Sequence, residues 1–293
     1  MGTLNTGTAI STVYRSKYRL ATLDASLRKA LIAEKICTVD RTDVKYINSP
    51  YGNQPTASIK TINGSYTVCD FTTTEDVLTV TDEFTYAEHI YDYEQTLTQF
   101  DMFAARTDEM VAAIAAGLDK WVLNELCEAV GNTEYTTPVG GFTTPANVSK
   151  IFADCIGKVA GYADMYRGLF MVIENTDLTG VIQAAGSQGF SFADAALRNG
   201  YVNSYMGVDI YVVRTGTFCD AAATSVSGSK TWTNSGHRVF GVKGVSTYAA
   251  PRGVQSIEKD VTAKTGKEIA VWGYCGFKLW TTKAPLIVDI TLA

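Results

Sequence analysis

Cysteine and histidine are the side chains with which this sequence could bind a soft metal ion or supply a nucleophile. The chain has two histidines, His89 and His237, and no CxxC pair. Structural zinc sites normally use closely spaced Cys/His pairs, so the spacing predicts no zinc site. No export signal is visible, and we expect buried thiols in a reducing cytoplasm. The six cysteines are Cys37, Cys69, Cys127, Cys155, Cys219 and Cys275.

Acidic residues between positions 82 and 94 are a second group that could hold a cation. They lack the spacing of a calcium loop, which favours a solvated face. His89 lies among them without a nucleophile pattern nearby, so a structural histidine is a better interpretation than a general base. The dinucleotide, phosphate-loop, HExxH and GxSxG motifs are absent. We therefore predict no catalytic residue, no metal, no cofactor and no enzymatic activity.

Tyrosines alternate with basic residues over positions 14–19, a pattern that could serve two kinds of partner. The rings and charges could contact the bases and phosphates of a nucleic acid. They could also pack on a protein and pair with its acidic groups, which we favour. The formal net charge is −5, and this value argues against a dedicated nucleic-acid binder.

Charge is distributed unevenly along the chain. Residues 1–45 contain eight basic and four acidic residues, a net charge of +4. Residues 70–134 contain fifteen acidic and two basic residues, a net charge of −13. The imbalance could be solvated charge without a role. It could also allow the basic segment of one copy to dock on the acidic block of another.

The composition is that of a globular protein, with 293 residues, 46% hydrophobic and 19% charged. No apolar run reaches the length of an ordinary membrane span. The first 13 residues are small and polar, typical of an extended arm, and a short helix is predicted over 20–36. Strands over Thr56–Ile62 and Ser65–Phe71 flank Asn63-Gly64, a strong hairpin signal. This hairpin lacks an apolar face, so we expect it to lie against its own body or another subunit.

A long helix is the clearest predicted element. Apolar residues recur in steps of three and four from about residue 93 to residue 130, without an intervening proline. The pattern places Ile114 and Leu118 one helical turn apart on the buried face.

Helices and strands alternate after the long helix. We predict helices over 145–161 and 175–185, and strands over 169–173, 208–213, 237–242, 254–257 and 267–280. The last strand is expected to be buried on both faces, with Trp272 and Tyr274 on the second face. The class is α+β, without the βαβ repeat of a doubly wound sheet.

Four strings in this order of elements resemble the major capsid protein of tailed bacteriophages, the Hong Kong 97-type fold. Glu75–Asp82 leads into Tyr91–Glu94 as the family's E-loop leads into its spine helix. Leu169–Asn175 is similar to the strand-to-helix step of its A-domain. Leu197–Val212 resembles the run into a further A-domain strand, and Lys283–Val288 resembles the closing P-domain strand.

The resemblance covers nearly the whole chain and implies a division of the fold. It comprises an N-terminal arm with a short helix (1–44), a projecting E-loop β-hairpin (45–90), a P-domain with the spine helix (91–164), an A-domain (165–245) and closing P-domain strands (246–293).

The same resemblance implies a function. It implies a subunit that self-assembles, through hexamers and pentamers, into the icosahedral head shell around the double-stranded DNA of a tailed phage. The implied partners are other copies, a separate scaffolding protein, a portal, a possible decoration protein and DNA contacted non-specifically, with no membrane. The implied location is the virion, after assembly in the bacterial cytoplasm. The alternatives are an encapsulin-type compartment shell and, in another class, a soluble enzyme or a carbohydrate-binding protein.

Inter-subunit contacts are then expected from the basic arm, from the hairpin and from the acidic block. The predicted contact residues are Arg15, Lys17, Arg19, Lys60, Asn63, Gly64, Asp82, Glu83, Asp92 and Glu94.

Overall fold

The fold combines five helices with thirteen strands in the part of the chain that the computed structural model describes. That part comprises residues 25–52, 62, 64, 73–90, 102–129, 131–161, 168–187, 204–220, 232–260 and 267–293. The helices are α1 (25–30), α2 (Ala33–Ile36), α3 (Met102–Cys127), α4 (Pro145–Val159) and α5 (Leu178–Ser187). Short 3₁₀ turns occupy Gly141–Thr143 and Thr281–Leu286.

The strands form two larger sheets and one ribbon. They are β1 (Thr38–Asp40), β2 (Tyr46–Gly52), β3 (Thr73–Thr79), β4 (Asp82–Ile90), β5 (Thr133–Thr136), β6 (Leu169–Glu174), β7 (Ser204–Tyr205), β8 (Val208–Val213), β9 (His237–Val242), β10 (Ser246–Ala249), β11 (Gln255–Asp260), β12 (Lys267–Leu279) and β13 (Ile287–Thr291).

A six-stranded mixed sheet has the order β5-β13-β9-β6-β8-β7. The strands β6 and β8 are parallel and α5 lies between them in the chain, which makes one βαβ unit in the described residues. Neighbouring pairs β13–β9 and β6–β9 are antiparallel, whereas β5 and β13 are parallel. This mixed order confirms that the protein is not doubly wound.

A five-stranded sheet has the order β1-β10-β12-β11, and β4 also pairs with β12. The β4–β12 ladder is antiparallel from the pair Ile90–Lys267 to the pair Asp82–Cys275. Within this ladder Phe84 lies opposite Gly273, and a Cβ atom at Gly273 would come within 2.4 Å of the Phe84 ring. Glycine is therefore required there because a buried ring occupies the space of a side chain.

The helix α3 lies between the two larger sheets. It packs against β4 and β12 on one side and against β9 and β13 on the other. The predicted buried face is confirmed, since Ile114, Leu118 and Trp121 are 6%, 0% and 1% exposed. The predicted helix is confirmed over 102–127, and its first predicted turns lie outside the described residues.

Three sequence predictions about single elements need correction. In the described residues the helix predicted over 20–36 is two short helices, α1 and α2, because the backbone N–H groups of Ile32 and Ala33 donate to the Asp119 carboxylate instead of continuing one helix. The strand β12 is buried on only one face, where Val271 and Cys275 are 1% and 0% exposed. On the second face Tyr274 is 42% exposed and Trp272 is half-buried. Apolar side chains on both faces of a strand therefore did not mean burial on both faces. The helix predicted from Asn175 begins at Leu178, because residues 175–177 form a turn.

Candidate assembly surface

A two-stranded ribbon, β2 with β3, stands apart from both larger sheets. Its antiparallel register runs from the pair Tyr46–Thr79 to the pair Gly52–Thr73. The predicted hairpin tip beyond these pairs lies outside the described residues, except Ile62 and Gly64. Ile62 is in a turn and is 94% exposed. An isolated two-stranded ribbon is marginally stable in water, so its attachment to the body matters.

The closing segment of the chain attaches the base of the ribbon. The Lys278 ammonium donates to the Val77 carbonyl at 3.1 Å and lies 2.5 Å from the Asp76 carboxylate. The same carboxylate accepts hydrogen bonds from the backbone N–H and the hydroxyl of Thr281, both at 2.9 Å. Burial alone would raise the pKa of Asp76, but these donors lower it below its ordinary value. The charge of Asp76 is therefore stabilised where the ribbon meets β12.

Apolar side chains are exposed beside the ribbon base. Tyr46 and Tyr274 are 57% and 42% exposed, and Val44 is 41% exposed. A shallow cleft of about 200 Å³ is lined by Asp43, Val44, Lys45, Val80, Pro251, Arg252 and Tyr274. The Arg252 guanidinium lies 3.0 Å from the Asp43 carboxylate at its edge. Exposed aromatic area beside charged groups has the composition of a protein contact surface.

The chain at Ile32 and Ala33, within the predicted N-terminal range 1–44, is fixed to α3 by Asp119. The Asp119 carboxylate accepts hydrogen bonds from the backbone N–H of Ile32, at 2.9 Å, and of Ala33, at 3.0 Å. Asp119 is 7% exposed, and burial raises its pKa to about 6 although these two backbone donors oppose the shift. Next along the chain, β1 pairs in parallel with β10. Residues 32–40 are therefore fixed to the body at both ends of this segment.

Most of the predicted contact residues lie outside the described residues. These are Arg15, Lys17, Arg19, Lys60, Asn63, Asp92 and Glu94.

Three predicted contact residues are described. Gly64 is half-buried outside any helix or strand. Asp82 and Glu83 are half-buried at the start of β4, opposite Cys275 and Tyr274. The last pair places Glu83 in register with the exposed Tyr274 of the cleft. The contact between the basic arm of one copy and the acidic block of another stays a prediction.

A cluster that the sequence did not predict lies where α3 ends. Cys127, His237 and Asp289 bring a thiol, an imidazole and a carboxylate within 4.8 Å of one another. Nδ1 of His237 lies 2.9 Å from both carboxylate oxygens of Asp289. No spacing rule could find this cluster, because 52 residues separate His237 from Asp289 and only the β9–β13 pairing brings them together.

A buried ion network lies next to this cluster. The Arg238 guanidinium is 2.5 Å from the Asp177 carboxylate and 3.2 Å from the Glu174 carboxylate. All three side chains are less than a tenth exposed. The network connects β9 to the β6–α5 turn, and the burial of all three charged side chains favours a structural role.

Comparisons with solved structures identify the fold. The capsid of cyanophage P-SCSP1u matches with a TM-score of 0.66 and 12% identity, over 88% of this chain and 86% of that one. Mycobacterium phage Che8 matches with a TM-score of 0.63 and 14% identity, over 84% of both chains. This is the Hong Kong 97-type capsid fold. A virus-like particle from Pyrococcus furiosus has the same fold, with a TM-score of 0.61 and 9% identity. The match covers 94% of this chain and 98% of that one.

The capsid fold is found here without a detectable sequence relationship. No protein-family model matches the chain, and no curated protein sequence matches it. None of the described helices has the length and apolar character needed to span a membrane.

Proposed function

We propose that this protein is the major capsid protein of a tailed bacteriophage. In this proposal it self-assembles, through hexamers and pentamers, into the icosahedral shell around a double-stranded DNA genome. The observation that carries the proposal is the match of more than four-fifths of the chain to phage capsid structures at TM-scores above 0.6.

The structure of the ribbon favours a subunit that assembles with other copies, and it argues against a protein that acts as a monomer. Among the described strands, its two strands pair with each other and with no third strand, and Lys278 of the body holds the ribbon through Asp76. A ribbon of this kind gains stability when a neighbour covers it. We propose that it is the lower part of the family's E-loop and that it contacts an adjacent subunit. The exposed Tyr46 and Tyr274 extend that contact to the body.

The proposed division of the chain follows from the same fold. Residues 1–44 are the N-terminal arm, 45–90 the E-loop, 91–164 and 246–293 the P-domain, and 165–245 the A-domain. The β13–β9 pairing crosses the boundary between the last two ranges. The proposed A-domain and P-domain therefore share one continuous sheet.

Shell assembly determines the proposed partners and location. The main partner is another copy of the chain, because a closed shell requires many moderate contacts of one kind. A separate scaffolding protein, a portal, a possible decoration protein and non-specifically bound DNA complete the set. The protein assembles in the bacterial cytoplasm and resides in the virion.

Assembly of the purified chain tests the proposal. We expect sedimentation velocity and electron microscopy to detect closed shells or capsomers. In a first variant, an Asn-Gly turn replaces residues 53–72 and closes the ladder after the pair Gly52–Thr73. This variant should retain its circular dichroism and melting temperature and lose assembly.

A matched control shortens a different loop. The backbone N–H of Ser235 donates to the Asp220 carboxylate at 2.7 Å, so the two ends of the loop between them are already close. Replacing residues 222–230 with two glycines should leave assembly intact. A chain that stays monomeric both alone and when co-expressed with the genes beside its own, or a ribbon variant that builds normal shells, would contradict the proposal and favour a soluble enzyme or a carbohydrate-binding protein.

An encapsulin-type compartment shell is the second candidate function. The Pyrococcus furiosus virus-like particle favours it, since its chain is covered over 98% of its length. The genes beside this one distinguish the two candidates. A portal, large terminase or prohead protease gene supports the phage, whereas a gene for a cargo enzyme supports the compartment.

A further inference from the structure

Three side chains of different chemistry converge at the end of α3. Cys127 is the last residue of the helix, His237 is the first residue of β9, and Asp289 lies within β13. Their sulfur, nitrogen and oxygen atoms lie within 4.8 Å of one another. We propose that Cys127, His237 and Asp289 form a binding site for one Zn²⁺ ion.

The geometry of the cluster is close to that of a tetrahedral metal site. Zinc bonds of about 2.0–2.3 Å separate neighbouring ligand atoms by about 3.3–3.7 Å at tetrahedral angles. Nδ1 of His237 is now 2.9 Å from the Asp289 oxygens, and the three ligand atoms span at most 4.8 Å. Shifts of about 1 Å or less at the side chains therefore bring all three to bonding distance.

The backbone around the ligands is fixed. The Asn132 amide donates to the Cys127 carbonyl at 2.6 Å and to the Leu126 carbonyl at 3.2 Å, which holds the end of α3. Antiparallel pairing places His237 opposite Thr291, two residues beyond Asp289 on the adjacent strand. Ligands on such a fixed frame need little reorganisation when the ion binds.

The charges of the site suit a divalent cation. When Zn²⁺ binds, it gives up three water ligands and the Cys127 thiol releases its proton to solvent. The His237 proton moves from Nδ1 to Nε2, which breaks the Nδ1–Asp289 hydrogen bond, and three bonds form, from zinc to sulfur, nitrogen and oxygen. Thiolate, carboxylate, neutral imidazole and Zn²⁺ then sum to zero charge, which suits a buried position. The exposed Glu128 and Glu134 lie nearby and favour a cation. The nearby Arg238 charge is already paired with Asp177 and Glu174.

Access and ligand type both favour zinc. The His237 side chain is 20% exposed, so an ion and a fourth, water ligand can reach the site from that side. A mixed set of sulfur, nitrogen and oxygen donors is typical of Zn²⁺, whereas Mg²⁺ and Ca²⁺ prefer oxygen alone. The ion would connect α3 to β9 and β13, and so join the central helix to the six-stranded sheet. The proposal reverses the prediction from cysteine and histidine spacing.

Metal content and spectroscopy of the full chain test the proposal. After treatment with chelator, addition of Zn²⁺ and dialysis, we expect about one zinc per chain by elemental analysis. Addition of Co²⁺ instead should give visible bands of tetrahedral cobalt and a near-ultraviolet sulfur-to-cobalt charge-transfer band. Cys127→Ser should abolish that band and weaken zinc binding by more than the 10- to 100-fold that loss of an outer-shell partner costs.

A second buried thiol provides the control. Cys155 in α4 is 0% exposed and lies outside the cluster, so Cys155→Ser should retain both the band and the zinc. X-ray absorption of the zinc-loaded wild type needs no variant and should detect one sulfur at about 2.3 Å. Three results would overturn the proposal. They are a wild type that binds no zinc, a cobalt spectrum without the sulfur-to-cobalt band, and an equal loss of zinc and of that band in Cys127→Ser and Cys155→Ser.

Discussion

The ammonium of Lys278 lies 2.5 Å from the carboxylate of Asp76 and joins β12 to the base of the ribbon. Asp76 is 6% exposed, whereas the Lys278 side chain is 33% exposed. The pair therefore combines a buried acceptor with a cation that still contacts solvent. Together with Leu78, which is 0% exposed and packs beside Gly276, it attaches the described part of the ribbon to the body.

Replacing Lys278 with Met should loosen the ribbon. The buried Asp76 carboxylate would keep its Thr281 donors but lose its counter-ion, which costs about 1–3 kcal/mol in the free energy of unfolding. Urea unfolding should record this loss, and limited proteolysis should cut the ribbon faster. Lys150→Met is the matched control, because the Lys150–Asp154 pair is exposed on α4 and should contribute less than about 1 kcal/mol. Equal effects of the two variants would contradict the assigned role of Lys278.

The Asp76 interaction should also depend on pH. Because the folded state lowers the pKa of Asp76, the stabilisation is fully present above the unfolded value of about 3.9. It is lost as the pH falls through the lower folded value. We therefore expect the stability difference between wild type and Asp76→Asn to shrink on acidification below about pH 4.

Asp119 should show the opposite pH dependence. Its folded pKa of about 6 lies above the unfolded value, so its contribution is present below about pH 4 and is lost as the pH rises through 6. Relative to Asp119→Asn, the wild type should gain about 2–3 kcal/mol between about pH 7.5 and pH 4. Urea unfolding of both proteins across this range measures the gain. A difference that does not change with pH would mean that Asp119 keeps an ordinary pKa.

Two glycines of α5 should respond in opposite ways to substitution by alanine. A Cβ atom at Gly180 would lie 1.8 Å from the Phe142 carbonyl oxygen, so α5 would have to move away from that turn. A Cβ atom at Gly186 meets nothing within 4 Å. We expect Gly180→Ala to lose at least about 2 kcal/mol, and Gly186→Ala to gain about 0.5–1 kcal/mol from helix propensity. Thermal melts of both variants test the packing of α5 on the 3₁₀ turn.

Charge reversal in the predicted arm tests the proposed contact between subunits. Changing Arg15, Lys17 and Arg19 together to Glu should lower the assembly yield without changing the monomer's melting temperature. Each exposed pair is worth only about 0.2–1 kcal/mol, but the contact repeats throughout a shell. Asp92→Lys or Glu94→Lys should partly restore assembly. Normal assembly of the triple variant at low salt would show that the arm is not an electrostatic contact.

The sequence predicted the elements whose residues face the core. The regular steps through Ile114, Leu118 and Trp121 gave α3, and the apolar run over 169–173 gave β6. The strand β2 was missed because it contains Asn48, Ser49 and Pro50 and shows no alternation. Its position depends on pairing with β3, which is a tertiary contact.

Predictions about sites failed where they depended on long-range pairing. Tyr274 looked buried because its strand is apolar on both faces, but nothing described covers that side of β12 to the extent that would bury it. The cluster of Cys127, His237 and Asp289 forms only after β9 and β13 pair beside the end of α3. Spacing along the chain carries no information about such a site.

The position of β12 late in the sequence governs how the chain can fold while the ribosome is making it. Lys278 is 201 residues from Val77, whose carbonyl it binds. The strand β4 also cannot form its ladder until β12 has been synthesised. At about 5–20 residues per second, synthesis of that interval takes about 10–40 s. During this time the ribbon lacks its contacts with β12, so an unfinished chain presents a less firmly held ribbon to a neighbour. Productive association therefore begins with chains that have been translated through β12.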